Sequence, residues 1–252
     1  MAGVQLKVAL FAVKSYKKVK LPMNIEKYAK MAPQYYTGEV PMLLINLLKY
    51  NHFETILDCG CGDGSLLYGL KNRNLIKTSR VNAIDLSKNR IALVKKISSK
   101  FHASVDSAET LETVKSNSID LLISTQVIEH VDDQKMSITM KRVLKKSGVV
   151  YLSTVYKKWY GWFFYKNDIG WVIDPTHLRE YSRDSQLLAI LDKDFYIARN
   201  DKTLQWFPII DFVVKRIGIT VKQRDSLLWM VLRAIRIPIL GYYNWELVLV
   251  KK

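Results

Sequence analysis

The sequence predicts an α/β fold built on a doubly wound, mostly parallel sheet, and three observations predict it. An apolar run from Thr55 to Leu57 ends on Asp58 and passes directly into Gly60, Gly62 and Gly64, the form of a strand entering a tight turn. Apolar stretches at 54–59, 80–85, 101–105, 118–124 and 149–154 alternate with helical patterns near 65–72, 87–98 and 133–146, the rhythm of βαβ units. Acidic and polar residues gather where these strands end, which is where open parallel sheets bind ligands.

The glycine turn is the first strand's exit. Without Cβ atoms its backbone can adopt positive φ and approach a ligand closely, and the helix opening at Ser65 turns its N-terminal amides toward the same place. This is a nucleotide-type site. The dinucleotide fingerprint would require a third glycine where Ser65 stands. Gly60-x-Gly62-x-Gly64 preceded by Asp58 instead resembles the first motif of class I S-adenosylmethionine-dependent methyltransferases.

Further stretches fit that resemblance in motif order. Arg80 to Asp85 reads as the second strand, and Asp85 lies about 20 residues beyond the glycines, the separation at which an acid reaches a ribose diol. Its other reading is an acid preceding a helix, for which Ser87 is the better cap. Val105 to Glu109 follows the third strand, where the family places a polar side chain and an amide against the adenine edge. Ser107 and Ala108 are the preferred pair, and Asp106 takes the polar role if the register slips by one. Ile119 to Val131 resembles the fourth strand and its Glu-His-Val ending.

The resemblance runs from about Tyr35 to Thr154, and within the class it is to the type 11, ubiquinone- and menaquinone-biosynthesis-like small-molecule methyltransferases. It implies a seven-stranded Rossmann-like sheet with an antiparallel last strand and helical additions. It also implies S-adenosyl-L-methionine as cofactor, held by Asp58, Gly60, Cys61, Gly62, Gly64, Asp85, Leu86, Ser107, Ala108 and Gln126. His130 is the candidate base for a hydroxyl acceptor, because imidazole is neutral near pH 7; a structural place in the turn is its other reading. Tyr35, His177, Arg179 and Tyr181 are assigned to the substrate side. Some quinone O-methyltransferases with a similar Glu-His turn use a metal, but two residues are too few to infer one. Cys59 and Cys61 stand alone inside the turn, too close for an unstrained disulfide and without a second Cys/His cluster to complete a zinc site, so no metal is expected.

Bulk properties bound the partners. At 252 residues and 49% apolar content the chain suits one domain with additions: a basic segment and cover helices over 1–50, a cofactor core over 54–154 and a substrate side over 155–252. A net charge of +16 points to an anionic partner surface or a solvated basic face. No stretch reaches the ~20 apolar residues of a membrane span, and no signal-peptide pattern opens the chain, so a cytoplasmic protein is expected, peripheral on the inner membrane face at most.

Residues 1–20 carry five lysines and no acid among apolar residues, which suits either an anionic membrane surface or a tail or edge strand. Val40 to Tyr50 shows helical spacing, and Tyr35 and Tyr36 before it could wall the cofactor pocket or belong to an aromatic core. All six tryptophans lie beyond Thr154. Trp159 to Tyr165 reads as a lid, an apolar docking surface or a satellite core. A helix over 183–193 precedes a sixth strand over 194–199 and a seventh over 242–251. Between these strands, Leu204–Ile217 and Ser226–Ile237 read as amphipathic helices that lie in an interface or pack on a partner.

The leading expectation is therefore O- or C-methylation of an apolar, lipid-like or lipid-linked acceptor at a membrane surface. An RNA or protein methyltransferase and a non-catalytic cofactor-binding subunit of a membrane complex are the alternatives. Nucleic acid is disfavoured because Ser124-Thr125-Gln126-Val127 replaces the Asn/Asp-Pro-Pro-aromatic turn used on flipped bases.

Overall fold

The computed structural model describes residues 38–163, 165–211, 213 and 227–252, with the side chains of 229 and 230 left aside. The basic segment over 1–20, Tyr35, Tyr36 and the Trp229 side chain lie outside the described residues.

The chain enters through α1 (Met42–Tyr50), then runs β1 (Thr55–Cys59), α2 (Ser65–Asn72), β2 (Arg80–Asp85), α3 (Lys88–Ile97), β3 (His102–Val105) and β4 (Ile119–Thr125). A single 3₁₀ turn, Ile128–His130, leads to α4 (Asp133–Val143) and β5 (Leu144–Lys157). A small hairpin of β6 (Tyr165–Asn167) and β7 (Gly170–Val172) precedes α5 (Asp184–Leu191), β8 (Phe195–Pro208), α6 (Leu227–Ala234) and β9 (Arg236–Lys251). Seven strands form one sheet in the order β3-β2-β1-β4-β5-β9-β8, the first five parallel and β9 antiparallel to both of its neighbours.

Alternation across the central strands explains the layering. Leu57, Cys59, Leu122 and Leu152 face one side, where Met136, Met140 and Val143 of α4 and Leu187 and Leu191 of α5 cover them. Ile56, Leu121, Ile123 and Tyr151 face the other, under Leu44 and Leu48 of α1, Leu67 and Leu70 of α2, and Ile91 and Val94 of α3. β1 is buried along its whole length, as a strand sandwiched between helical layers must be. Helix starts follow side-chain chemistry: Ser87 accepts from the Arg90 amide at 3.3 Å, and Asp132 from the Gln134 and Lys135 amides at 3.1 Å.

Two expectations are corrected. The helical pattern expected near 133–146 ends early, because α4 stops at Val143 and β5 begins at Leu144. The reversal there is a bulged strand entry with Ser147 at φ 59°, and the β4–β5 register shifts between Ile119 and Leu121. The helix expected from Leu204 is strand as far as Pro208. Trp206, Phe207 and Pro208 pair with Pro238, Ile237 and Arg236, so the β8–β9 ladder outweighs the local helical spacing and extends past the rest of the sheet. Asp211 grips Arg233 at 3.0–3.3 Å in a largely buried ion pair.

Candidate active site

Strand order reverses between β1 and β4, and a cleft of about 700 Å³ lies beyond the C-terminal ends of these strands, at the switch point. Its inner wall is the glycine turn. Gly60 has φ 78° and lies against Val127, where a Cβ would fall 2.4 Å from Cγ2. Gly62 has φ 56° with nothing within 4 Å of its would-be Cβ, so its backbone faces open cleft. Gly64, at φ 88°, is different: its Cβ would meet Ile97 Cδ1 at 2.5 Å. It serves the packing of α2 on α3 rather than the approach of a ligand, and it does not line the cleft.

Asp85 ends β2 at the cleft with its side chain 8% exposed. Its Oδ2 accepts from the Gly62 amide at 3.0 Å and its Oδ1 from the Ser87 amide at 2.9 Å, and Arg90 stands 3.5 Å away. The acid therefore braces the glycine turn as well as facing the cavity. Leu86, Ser107 and Ala108 line the cavity beside it, together with Asp106. Burial alone would raise the Asp106 pKa, but the hydroxyl and amide of Thr113 and the amide of Ser107 bond its carboxylate and hold it below the usual range. Cys61 is buried against the cleft, its thiol pushed up by burial and by Asp58 and Asp85. Gln126, at φ 56°, faces the cleft and donates to Asn244 Oδ1 at 3.2 Å.

Asp58 is not on the cleft wall. It is 1% exposed beneath the turn with neither carboxylate oxygen partnered, and burial, reinforced by the charge of Asp85, lifts its pKa to about 7. Arg179 and Tyr181 also lie away from the cleft. Arg179 donates to the main-chain oxygens of Ile128 and Val131 and pairs with Asp133, which fastens the 3₁₀ turn. Tyr181 is a core residue, bonded through its hydroxyl to Asp133 and edge-on to Trp245. In both, a long side chain reaches back from the loop to a neighbouring element, which residue spacing does not reveal.

His130 and His177 line the cleft together, their rings 4.7 Å apart and inclined at 68°. With Glu129 they offer three ligand atoms within 4.8 Å of one another, a cluster that cysteine and histidine spacing did not lead us to expect. Each member has a protein partner: Thr154 donates to Glu129 Oε2, Thr176 meets His130 Nδ1, and Glu180 meets His177 Nδ1. Three donors are one short of a closed tetrahedral metal set. Burial pushes Glu129 up to about 7 and His130 down to about 4, the charge of His177 adding to the latter change. His130 is thus neutral at pH 7. The outer walls are apolar: Phe163 and Tyr165, from the aromatic stretch read as a lid, a docking surface or a satellite core, with Ile173 and Phe207.

The turn fits a nucleoside with a charged tail: an open backbone at Gly62, a strand-end acid at Asp85 and a shallow polar slot at Ser107 and Ala108. Residues 57–152 match the family described as "Methyltransferase domain". A "Ubiquinone biosynthesis O-methyltransferase" of Bartonella quintana is 23% identical over 176 residues, 66% of this chain and 69% of the relative. Among solved structures, the [4+2]-cyclase SpnF superimposes with a TM-score of 0.60 at 15% identity, covering 90% of this chain and 94% of its own. A SAM-dependent methyltransferase from Methanosarcina mazei gives 0.57 at 15%, covering 84% and 98%. These two likenesses concern the fold, which carries more than one chemistry. The family match falls on the strands and turns that form this cleft, and this core is that of an S-adenosylmethionine-dependent methyltransferase on a Rossmann-like sheet.

Proposed function

We propose that the enzyme methylates a hydroxyl of an apolar, lipid-like acceptor, a prenylated phenol or catechol in type, while docked on an anionic membrane surface. The observation that carries this reading is the cleft's two-sided lining: a polar inner wall at the glycine turn and an outer wall of Phe163, Tyr165, Ile173 and Phe207. The name of the Bartonella relative supports a quinone-like acceptor. Trp159, Trp162, Trp171 and Trp206 are at least 44% exposed, and Leu227, Leu228, Val231, Ile235 and Leu240 more so than most, which is the surface an apolar interface would cover. No helix among the described residues is long and apolar enough to cross a membrane.

Bound at the turn, S-adenosylmethionine supplies an electrophilic methyl group. The chain's own part is to hold the cofactor through the Gly60–Gly62 backbone and Asp85, to aim the acceptor, to keep water out with aromatic walls and to receive the acceptor's proton.

Labelled S-adenosylmethionine offered with a short-chain prenylated catechol or with total RNA tests the acceptor. O-methylated catechol is the expected product, and label in RNA alone overturns the reading. Sedimentation with phosphatidylglycerol vesicles tests docking. The wild type should pellet, less so in high salt as charges are screened, while Trp206→Asp with Leu228→Asp should stay in the supernatant. Undiminished pelleting of that double variant removes this surface from the proposal.

A further inference from the structure

We propose that His177, oriented by Glu180, is the base that takes the acceptor's hydroxyl proton, and that His130 stays neutral beside it. This rests on the hydroxyl-acceptor reading above.

The Glu180 carboxylate, its side chain 2% exposed, is surrounded by donors. Oε1 accepts from the Ile173 amide at 2.8 Å and faces His177 Nδ1 at 2.9 Å; Oε2 accepts from the Tyr242 hydroxyl at 3.2 Å and faces Lys157 Nζ at 3.4 Å. A carboxylate so placed can only accept from the imidazole, so Nδ1 carries the hydrogen and Nε2 keeps its lone pair. His177 lines the cavity, on the wall it shares with His130 and Thr176.

His130 has a weaker orienter. Its Nδ1 stands 3.0 Å from the Thr176 hydroxyl oxygen, whose own hydrogen goes to Asp174 at 2.6 Å, and 3.3 Å from the main-chain oxygen of Thr176, both neutral acceptors. With Nδ1 engaged in both rings, Nε2 keeps its lone pair in each, but only His177 has a carboxylate to stabilise the imidazolium it would become. At 4.7 Å the two rings cannot both hold a proton at little cost, and the low pKa of His130 agrees with that order. The groups around the pair are Glu129 on the 3₁₀ turn, Asp174 and Glu180 on the same loop as His177, Lys157 on β5, Tyr242 on β9 and Arg90 on α3.

The step balances. The hydroxyl oxygen forms the new O–C bond as the sulfonium S–C bond breaks, its proton passes to His177 Nε2, and the imidazolium paired with Glu180 later releases that proton to solvent. His177 is then a catalytic residue, and Glu180 a positioning one.

Two measurements on the full chain test this. In ¹⁵N-histidine-labelled protein, which needs no acceptor, His177 should show the Nδ1–H tautomer and take its proton at higher pH than His130. Glu180→Gln should move the His177 titration to lower pH. With a prenylated catechol as acceptor, His177→Ala should lower kcat about 10²–10⁴-fold with cofactor affinity unchanged. The acidic limb of the pH–kcat profile should vanish in His177→Ala and persist in His130→Ala. His177→Gln, with its circular dichroism checked, guards against a folding loss.

If His130 protonates first, or if His177→Ala and His177→Gln both keep kcat within tenfold of wild type, the assignment is overturned. So too if activity lost to EDTA returns with Mg²⁺, which would put a metal ion in the base's place. Methyl transfer to carbon or nitrogen only, with the histidine order as expected, overturns the acceptor reading and the proton-taking role together, whereas a reversed order with O-methylation intact overturns the assignment alone.

Discussion

Gly60 and Val127 interlock: a Cβ on the glycine would lie 2.4 Å from Val127 Cγ2, so the turn after β1 and the turn after β4 meet at a distance that only glycine permits. Both turns line the cleft, and their contact sets the spacing between the cofactor-binding backbone and the Glu129-His130 segment.

The three turn glycines should therefore fail in different ways. Gly60→Ala and Gly64→Ala add overpacking against Val127 and Ile97, typically about 1–3 kcal/mol, to the strain of positive φ, and should lower stability sharply. Gly62→Ala meets open space, so it should cost only about 1–2 kcal/mol of backbone strain while its methyl intrudes where the cofactor lies. Denaturant unfolding with calorimetric titration of S-adenosylmethionine separates these effects. Wild-type cofactor affinity in Gly62→Ala would contradict the placement.

Asp85→Ala should weaken S-adenosylmethionine binding by about 1.5–3 kcal/mol, the worth of a hydrogen bond to a charged group. Part of that loss would come through the Gly62 amide, which Asp85 holds at 3.0 Å. An affinity unchanged by calorimetry would leave Asp85 as a brace for the turn and nothing more.

Asp58 makes stability depend on pH. Its folded pKa, about 7 against an ordinary 3.8, is raised, so the native state favours the protonated form. The contribution to stability is fully present below about pH 4 and is lost as pH climbs through 7. A tenfold difference in proton affinity is worth about 1.4 kcal/mol, so the whole loss is on the order of 4 kcal/mol. Asp58→Asn should consequently gain on the wild type as pH rises from 4 to 8 in the cofactor-free protein. Parallel stability curves from urea titrations at each pH would refute it. His130, with its lowered pKa, acts in the opposite sense, losing stability as pH falls from about 6.5 toward 4, which is why the difference between variant and wild type is the quantity to follow.

Arg179→Ala should act on stability rather than on substrate. Removing the guanidinium leaves the Ile128 and Val131 carbonyls of the 3₁₀ turn without that donor, a cost of about 1–3 kcal/mol. Its kcat loss should follow the displaced Glu129 and His130 and be restored in part by Arg179→Lys. A large rise in acceptor KM at unchanged stability would return Arg179 to the substrate side.

The sequence by itself determined the sheet core and the cofactor side of the cleft. Strand alternation, the glycine turn and the acid closing β2 are local patterns, each carried by a few consecutive residues whose backbone needs do not depend on distant partners. Tertiary structure decided the rest. Gly64 looks like a ligand glycine until Ile97 is seen against it, Asp58 looks like a cleft acid until β1 is seen buried on both faces, and Trp206 reads as helical until β9 offers it a strand to pair with. The Glu129-His130-His177-Glu180 cluster joins a turn after β4 to a loop beyond β5, segments far apart in the chain. Which groups share a buried charge or a proton depends on distances between side chains in space, and residue spacing carries no information about those until the fold has closed.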